Sequence, residues 1–523
     1  MIKEIELNVL PEQLVNEDIL KRTIAKKTGI TLDYVLSVEL KRKSIDARKQ
    51  PVSYRIKVEL NIKTKDNQNL EPIKELSSER RYKDVSKAKK VIVIGAGPAG
   101  LFASLKLIEK GLKPIILERG KPVSQRKKDT AQIIKSKEII PESNWCFGEG
   151  GAGTFSDGKL YTRSNKRGDI NEVLDIFIEH GADKDIKTEA HAHIGTDRLS
   201  PIIKNIRKTI EQFGGEYHFD TKVVDFIVKD NKIKGVITQN DEKIESDYVV
   251  LATGHSARDI YYLFNRKNWL LEAKPFAMGV RIEHPQELIN QIQYHSHNYS
   301  KLLPPATYSL AYNYKGRGVF SFCMCPGGMI VPSATNPDEL VVNGMSNTLR
   351  NSPFANSGMI VSINKEDVKD YSEYGELALL KFQEALEHKM FKAAQNSIAA
   401  PSQRLTDFLK NKPSSALSPN SYLCGTIPTD LNKILPKFMT ETLKEGFKNF
   451  ERKMKGFICQ EANLIGLESR SSSPIRIPRD KDTLEHIQIA GLYPCGEGSG
   501  YAGGITSSAM DGINVAQKIS QTL

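Results

Sequence analysis

Three short stretches of the chain carry glycines at the spacing G-x-G-x-x-G. They are VIVIGAGPAG with Gly95, Gly97 and Gly100, FGEGGAG with Gly148, Gly150 and Gly153, and GEGSGYAGG with Gly498, Gly500 and Gly503. This spacing lets a backbone approach a pyrophosphate when a strand precedes it, a helix follows it, and an acid ends the next strand about 20 residues on. The context therefore decides which of the three stretches binds a dinucleotide.

The first stretch meets every condition. VIVI is a short apolar run typical of a buried strand, AGLFASLKLIEK has helical spacing, and Glu118 ends the second buried strand KPIILE. In such a unit Gly95 permits the tight turn, Gly97 leaves room for the pyrophosphate, and Gly100 packs the helix on the strand. The carboxylate of Glu118 can accept both hydroxyls of a ribose. We therefore predict an ADP-binding unit here.

The second stretch does not meet them, because PESNW before it contains a proline and no apolar run. It is not a second unit of the same kind. The segment EGGAGTFSDGKLYTR is nonetheless rich in glycine and hydroxyl side chains, so it is either a ligand-binding loop or a flexible surface loop.

The third stretch meets half of the conditions. HIQIAGLY is a plausible strand and ITSSAMDGINVAQKI a plausible helix, but the sequence ends at Leu523 without a second strand and its acid. We expect this loop to add a helix N-terminus to a ligand that is held mainly by other segments.

The elements that position these loops divide the chain into four parts. Residues 1–85 read strand, helix, strand, strand and then a polar linker, which predicts a small basic α+β domain. Residues 86–257 contain the first glycine loop, residues 258–483 have a mixed pattern with a long helical stretch at EYGELALLKFQEALEHKMF, and residues 484–523 return to a strand and a final helix.

Charge and hydropathy restrict the location and partners. The chain of 523 residues has a net charge of +12, and the first 90 residues carry 21 Lys and Arg against 14 Asp and Glu. A basic module can bind nucleic acid, an acidic protein or an anionic surface, but a solvated lysine-rich surface is the simpler interpretation. No apolar run is long enough to span a membrane and the N-terminus lacks an apolar signal core, so we expect a cytoplasmic protein.

The cysteines and histidines do not predict a metal site. The six cysteines contain no C-x-x-C, and the pairs His191/His193 and His295/His297 have no acids or cysteines to complete a ligand set. Cys323 and Cys325 form C-M-C, for which a redox or metal role is one alternative. We expect ordinary strand residues there, because alternate side chains of a strand share one face.

The motifs taken together resemble a known class. A single Rossmann unit, a V-V-L-A-T-G strand in the middle of the chain and a G-E-G-x-G loop before the last helix resemble the glutathione-reductase-type FAD proteins. The resemblance implies that Val223 of FDTKV contacts adenine through its backbone and that Glu497 takes the place of an Asp beside the ribityl chain or pyrophosphate. Arg119 and Arg126 fit the E-R-G…R pattern that follows the ribose acid.

A narrower resemblance covers nearly the whole chain. EGGAGTFSDGKL, PFAMGVRIEHPQ, CMCPGGMIVPSA, SRSSSPIRIPRD and GLYPCGEGSGYAGGI are similar to segments of a family of bacterial FAD-dependent dehydrogenases. It implies an α/β fold: a Rossmann-type FAD-binding domain assembled from separated segments, with an inserted α+β substrate domain and a small N-terminal α+β domain. The implied function is that of an FAD-dependent oxidoreductase with non-covalent FAD.

The glycine-loop argument and the resemblance together give a set of cofactor-binding residues. The set is Gly95, Gly97, Pro98, Ala99, Gly100, Glu118, Arg119, Arg126, Gly150, Gly151, Ser156, Val223, Ala252, Thr253, Gly254, Gly496, Glu497, Gly503, Gly504 and Ile505. The helix that begins near Ile505 is expected to point at the flavin, with the 148–159 loop near its ring system and residues 258–483 over the other face. Catalytic residues are not assigned.

The partners remain open at this level. Only one complete nucleotide-binding unit is present, so NAD(P)H either binds transiently or electrons come from a small-molecule substrate or another protein. Arg281, Arg470 and Arg476 are candidate anion binders or structural ion pairs, and His255 is either near the ring system or an ordinary turn residue. The alternative function is a flavoprotein that recognises RNA or protein through its basic N-terminal domain.

Overall fold

The computed structural model describes residues 2–63, 82–162 and 168–523. In chain order the strands are β1 Ile2–Val9, β2 Val35–Asp46, β3 Ser53–Ile62, β4 Lys90–Ile94, β5 Lys113–Leu117, β6 Glu216–His218, β7 Val223–Lys229, β8 Lys232–Thr238, β9 Lys243–Glu245, β10 Val249–Leu251, β11 Glu272–Ala273, β12 Phe276–Pro285, β13 Ala311–Tyr314, β14 Arg317–Cys325, β15 Gly328–Pro332, β16 Val342–Ser346, β17 Phe354–Ile363, β18 Ala400–Arg404, β19 Thr426–Pro428, β20 Asn463–Glu468, β21 Ile475–Arg476 and β22 Leu492–Pro494. The α-helices are α1 Glu17–Thr28, α2 Pro98–Lys110, α3 Val123–Ser136, α4 Ile170–Glu179, α5 Thr196–Gln212, α6 Arg258–Arg266, α7 Gln286–Tyr294, α8 Ala378–Ala393, α9 Leu405–Leu409, α10 Leu431–Ile434, α11 Lys437–Lys453 and α12 Ile505–Thr522.

Residues 2–62 form a three-stranded antiparallel sheet in the order β1-β3-β2 with α1 packed on it. The side chain of Asn16 accepts a hydrogen bond from the Ile19 N–H at 2.9 Å and so caps the start of α1. The predicted order strand, helix, strand, strand is therefore correct. Most of the predicted linker after it, residues 64–81, lies outside the described residues.

A five-stranded parallel sheet in the order β22-β10-β4-β5-β6 carries the glycine loops. Both faces are covered, because Val91 and Val93 pack among α2, α5 and α12, while Ile92 and Ile94 pack against the apolar residues of β7, β8 and α6. Burial on both faces explains why β4 reads as a continuous apolar run. The predicted Rossmann-type α/β fold assembled from separated segments is confirmed.

Residues 276–468 contain the largest sheet in the described ranges, with seven strands in the order β13-β14-β17-β12-β20-β18-β19. At its centre β12 and β17 pair antiparallel from Phe276 opposite Ile363 to Pro285 opposite Phe354. The helices α8 and α11 pack on this sheet in one apolar core with it. The short strands β11 and β21 pair with each other where the chain enters and leaves this region.

Two predicted elements differ from the structure. The strand expected at HIQIAGLY is only Leu492–Pro494, because the residues before it form turns and Ile487 is exposed. The helix expected from residue 373 begins at Ala378, because the residues before it belong to a 3-10 segment at Lys365–Leu377 in which Gly375 adopts the non-helical φ 54° and ψ −125°. None of the helices in the described ranges has the length and apolarity to cross a bilayer.

Candidate functional site

A cavity of about 410 Å³ lies at the carboxyl ends of β4, β5, β10 and β22. Ligands of open parallel sheets bind at this edge, where the loops after the strands meet. Of the residues predicted from the sequence, those that line the cavity are Gly95, Gly97, Pro98, Ala99, Glu118, Arg119, Gly151, Ser156, Val223, Ala252, Thr253, Gly254, Gly496, Glu497, Gly503, Gly504 and Ile505. Gly100, Arg126 and Gly150 lie behind its wall.

The first glycine loop turns sharply between β4 and α2. Gly95 has φ 100°, and a Cβ there would lie 2.5 Å from the carbonyl oxygen of Ala252 on the neighbouring strand loop. A Cβ on Gly100 would lie 1.9 Å from the Gly95 carbonyl oxygen. Both glycines are therefore required by packing, and they bring the uncapped N-terminus of α2 to the cavity.

Glu118 is buried at the end of β5 and its carboxylate accepts three backbone hydrogen bonds. Oε2 accepts from the Ala96 N–H at 2.8 Å, and Oε1 accepts from the N–H groups of Gly120 and Gly148, both at 2.9 Å. A carboxylate has about four acceptor positions, so this arrangement leaves room for a further donor. Glu118 thus joins the first glycine loop to the middle one.

Arg126 supports the middle loop from behind. It is fully buried and donates to the backbone carbonyls of Asn144, Gly148, Glu149 and Gly151 at 2.7–3.2 Å. Burial lowers the pKa of its guanidinium to about 10. The second stretch of glycines is therefore an ordered loop, held in shape by an arginine that the sequence pattern assigned to the cofactor.

Arg119 lies at the edge of the cavity in a network of charges. Its guanidinium donates to Glu142 at 2.5 Å and to Asp259 at 3.0 Å, and it lies 4.1 Å from the ring centroid of Phe147. These contacts fix the orientation of a planar cation in the cavity wall, to which Val223 also contributes.

The third glycine stretch leads into α12, whose N-terminus also opens on the cavity without a side-chain cap. Asp511 fixes this loop, because it accepts a hydrogen bond from the Gly496 N–H at 2.7 Å and pairs with Arg479 at 2.6 Å. Gly512 lets α12 cross α2 closely, since a Cβ there would lie 2.1 Å from the Ala99 carbonyl oxygen. Sequence reasoning missed Asp511 and Arg479, which act only through the folded loop.

Burial alters the ionisation of two groups in the cavity wall. It raises the pKa of Glu497 to about 7, against the opposing effect of Lys274. It lowers the pKa of His255 to about 3, with further lowering from Arg470 and Arg258, so this imidazole is neutral. The predicted alternatives for His255 remain, but as a lining residue it faces the site.

The three candidate anion-binding arginines are all in ion pairs. Arg281 is fully buried 2.9 Å from Glu468, Arg470 pairs with Glu339 at 2.6 Å, and Arg476 lies 3.6 Å from Glu272. A buried network also joins Arg258 and Arg470 through Glu387. Within the described ranges, no group of three or more potential ligands is placed to hold a metal ion.

At three glycines of the cavity, neither the neighbouring protein atoms nor the backbone conformation would prevent a side chain. A Cβ on Gly503 or Gly504 would meet no atom within 4 Å, and one on Gly97 would meet only Gly151 at 3.9 Å. None of the three has a φ in the left-handed region, since the φ of 167° at Gly504 is extended backbone. Side chains there would instead fill the cavity, next to the two uncapped helix N-termini. The donor set, made of backbone N–H groups and a buried carboxylate, fits a phosphate-containing ligand with hydroxyl groups.

Comparison with known proteins is consistent with this site. A family model described as pyridine nucleotide-disulphide oxidoreductase matches residues 89–262, and one described as FAD-dependent protein, C-terminal domain-like, matches residues 275–471. A third model, for a domain of unknown function, matches residues 1–61. The fold, the cavity and these matches define an FAD-dependent oxidoreductase with FAD as its cofactor.

A relative from Clostridium beijerinckii, described as an uncharacterized protein, is 42% identical over 518 residues, which is 96% of each chain. The chain belongs to the same family, a family of FAD-dependent oxidoreductases. A tRNA uridine 5-carboxymethylaminomethyl modification enzyme from Alkaliphilus metalliredigens is 26% identical over 33% of this chain and 25% of its own.

Two solved structures illustrate the more distant similarity. A geranylgeranyl bacteriochlorophyll reductase-like protein from Thermoplasma acidophilum is 13% identical, with 83% of this chain and 79% of that chain covered and a TM-score of 0.35. Glycine oxidase from Bacillus cereus is 14% identical, with 85% and 96% covered and a TM-score of 0.29.

The comparisons give no support to the alternative function of RNA or protein recognition, since residues 1–61 match only a domain of unknown function. Many of the basic side chains there are paired. Lys57 lies 2.6 Å from Glu4, Arg55 lies 2.6 Å from Glu6, and Lys43 lies 2.6 Å from Glu189. This pairing weakens the positive field that a nucleic-acid-binding surface needs.

Proposed function

We propose that non-covalent FAD occupies the cavity, with its ADP half at the first glycine loop and its flavin half between the middle loop and the start of α12. The observation that carries this assignment is the empty space beside Gly97, Gly503 and Gly504. Each lies at or next to an uncapped helix N-terminus, where backbone N–H groups favour negative charge.

The individual residues would then divide the cofactor between them. Glu118 would accept the hydroxyls of the adenosine ribose, and Val223 and Arg119 would lie beside the adenine. Ala252, Thr253 and Gly254 follow β10 and would contact the pyrophosphate side. Gly100, Arg126 and Gly150 would act indirectly, by holding the two glycine loops in shape.

FAD supplies two-electron transfer, and the chain supplies its orientation and electrostatics. With a pKa near 7, Glu497 is partly protonated at neutral pH. In that form it would donate a hydrogen bond to a pyrophosphate oxygen, which an ionised carboxylate would repel, whereas the ionised form would accept one from a ribityl hydroxyl. The start of α12 would stabilise negative charge on the reduced flavin.

The substrate side of the cavity belongs to the segment between β10 and β22. Phe322, Ser333 and Asn343 of this segment line the same cavity as the glycine loops. The division of the strands between the two large sheets supports the proposed domains. Residues 86–257 and 484–523 would bind FAD, and residues 258–483 would bind a small-molecule substrate. Residues 1–85 form the remaining domain, whose role is not assigned. The protein is proposed to work in the cytoplasm.

NAD(P)H is the proposed reductant. The model that matches residues 89–262 is described as a pyridine nucleotide-disulphide oxidoreductase, and the parallel sheet offers one complete dinucleotide unit. With that unit occupied by FAD, the nicotinamide would bind transiently over the flavin rather than in a second fold of its own.

Absorbance spectroscopy of the purified protein tests the proposal. We expect a yellow protein with about one FAD per chain, released intact on denaturation, and bleaching of the flavin band by NADH or NADPH without oxygen. A colourless protein that takes up no flavin, or one that binds FMN instead, would contradict the assignment. If the protein contains FAD but neither NADH nor NADPH bleaches it, the proposal of NAD(P)H as the reductant is wrong and the FAD assignment stands.

A further inference from the structure

The segment Cys323-Met324-Cys325 ends β14 at the wall of the cavity. Phe322 pairs with Gly358 of β17 and Cys325 with Asn356, so β14 has one residue more than its partner at this point. Cys323, the extra residue, has φ 46°. Such a bulge redirects a side chain, and a left-handed conformation at a residue other than glycine is strained.

The bulge overturns the expectation that both cysteines are ordinary strand residues on one face. Cys323 lines the cavity and is partly exposed to it, whereas Cys325 is fully buried behind it. Both are free thiols. Their Cα atoms are at most about 7 Å apart because only one residue separates them, which is at the upper limit of the range that a disulfide spans.

Two cations lie against the same segment. Lys159, from the end of the middle loop, lines the cavity and donates to the Met324 carbonyl oxygen, and Arg281 donates to the Cys323 carbonyl oxygen at 3.4 Å. The carboxylate of Asp157 lies 3.7 Å from the Lys159 Nζ and partly offsets the positive charge of these two cations. The Cys325 thiol donates to the Cys323 carbonyl oxygen at 3.2 Å. The pKa of Cys323 is lowered by the neighbouring Cys325 side chain and by the positive charges of Lys159 and Arg281, while burial and Asp157 oppose the lowering.

We propose that Cys323 and Cys325 form a redox-active dithiol that exchanges two electrons with the FAD in the same cavity. This inference rests on the placement of FAD proposed above. The segments Gly151–Gly153 and Gly503–Ile505, assigned there to the flavin half, line the cavity together with Cys323 and Lys159. The thiol that faces the cavity and its buried partner then have separate roles.

The exchange balances without another reactant. Starting from the free thiols, the Cys323 thiolate and the Cys325 thiol form one S–S bond, and their electron pair and the Cys325 proton pass to FAD, which becomes the singly protonated reduced anion. In the opposite direction the S–S bond breaks, Cys323 leaves as the thiolate beside Lys159, and Cys325 takes back the proton. The cavity-facing sulfur is thus the one a substrate disulfide or electrophile can reach.

An anaerobic reductive titration with dithionite tests the dithiol in the FAD-loaded protein. After oxidation we expect the wild type to take up four electrons per FAD, and Cys323→Ser and Cys325→Ser to take up two. Cys459→Ser, a partly exposed cysteine that does not line this cavity, is the matched control and should keep four. FAD content and thermal unfolding of each variant show that it has folded.

Mass spectrometry after alkylation gives a second measurement that does not depend on flavin reduction. Diamide treatment of FAD-free protein should protect Cys323 and Cys325 together, and dithiothreitol should restore both to alkylation. Two electrons per FAD in the wild type, or both thiols still alkylated after diamide, overturns the dithiol while the FAD assignment stands. A chain that binds no FAD overturns both.

Discussion

Glu118 connects more of the site than its position at the end of a strand indicates. Its carboxylate accepts hydrogen bonds from Ala96 in the first glycine loop and from Gly148 in the middle loop. The residue expected to bind a ribose therefore also joins two loops of the cavity wall, so its replacement should affect both the loops and the binding of the cofactor.

Replacing Glu118 with Ala should weaken FAD binding by ten- to a hundredfold, because charge-assisted hydrogen bonds to the ribose contribute roughly 1.5–3 kcal/mol. It should also lower the stability of the FAD-free protein, because three backbone N–H groups lose their acceptor. Fluorescence titration with FAD and thermal unfolding of the FAD-free protein measure the two effects.

Glu138→Ala is the control, since Glu138 is an exposed acid at the end of the neighbouring helix and is outside the cavity. It should change neither quantity. If Glu118→Ala lowers stability but leaves the FAD dissociation constant unchanged, the carboxylate supports the loops and does not bind the ribose.

Among single residues, the sequence predicts the roles of those that belong to one motif within a short stretch of the chain. Gly95, Gly100 and Glu118 belong to one local pattern, so both the turn and the acid can be recognised. Lys159 and Cys323 cannot be recognised in this way, because they meet only when the middle loop and β14 pack together. The E-R-G…R pattern identified Arg126, but a pattern contains no information on which way a side chain points.

Two helices, α2 and α12, begin at the cavity, although their first residues are more than 400 positions apart in the chain. They cross where Gly512 contacts the backbone of Ala99, and Thr506 donates a hydrogen bond to the Leu160 carbonyl oxygen at 2.6 Å. The position of the α12 N-terminus is thus fixed by contacts from both sides.

Gly504→Val should lower the reduction potential of the bound flavin by about 6–43 mV, or abolish FAD binding. A side chain there would occupy the space that we assign to the flavin and separate it from the helix N-terminus. The charge at a helix end contributes about 0.3–2 kcal/mol within one turn, which for two electrons corresponds to that range. A redox titration against reference dyes measures the potential.

Gln521→Val, an exposed position in the last turn of the same helix, controls for a valine in α12. It should leave both the potential and the FAD content unchanged. Full FAD content with an unchanged potential in Gly504→Val would mean that the flavin lies elsewhere in the cavity.

The sequence predicts long elements with a clear period better than short ones. The helix α5 follows from its amphipathic spacing over residues 196–213, because one face is buried along its whole length. The strand β22 has three residues, and only its pairing with β10 distinguishes it from the turns before it. Because this pairing joins segments that are far apart in the chain, it cannot be predicted from the local periodicity of the sequence.

The seven-stranded sheet as a whole buries a carboxyl group that affects the stability of the molecule. Glu283 of β12 is 1% exposed, and burial raises its pKa to about 7 although Ser421 donates two hydrogen bonds to it. Between the ordinary pKa of a glutamate and 7, the folded chain therefore binds more protons than the unfolded chain. The free energy of unfolding must fall as the pH rises through this window.

Glu283→Gln removes the ionisation, so the variant should lack this loss of stability. Relative to the variant, the wild type should lose up to about 3 kcal/mol between pH 5 and pH 8, because each pKa unit corresponds to about 1.4 kcal/mol. Denaturant unfolding of both FAD-saturated proteins at the two pH values measures the difference. Any effect of losing the Ser421 hydrogen bonds is the same at both pH values.

Glu287→Gln provides a control, because the pKa of Glu287 is shifted in the direction opposite to that of Glu283. Glu287 is exposed four residues further on, and its pKa is lowered by the hydrogen bond from Tyr299. Its stabilising effect is present above the ordinary pKa and is lost as the pH falls. If the wild type and Glu283→Gln show the same dependence between pH 5 and 8, Glu283 stays ionised in the folded protein.

The pairing of β11 with β21 also affects how the chain reaches its folded state. About 240 residues separate β10 from β22, and the entropy lost on closing a loop grows with the logarithm of its length. Once Glu272 lies opposite Arg476, only about 35 of those residues remain free between the two strands. The remaining closure then costs roughly 2 kcal/mol less than closing the full stretch. Early folding of the large sheet thus makes it easier for the last strand and helix to complete the nucleotide-binding unit.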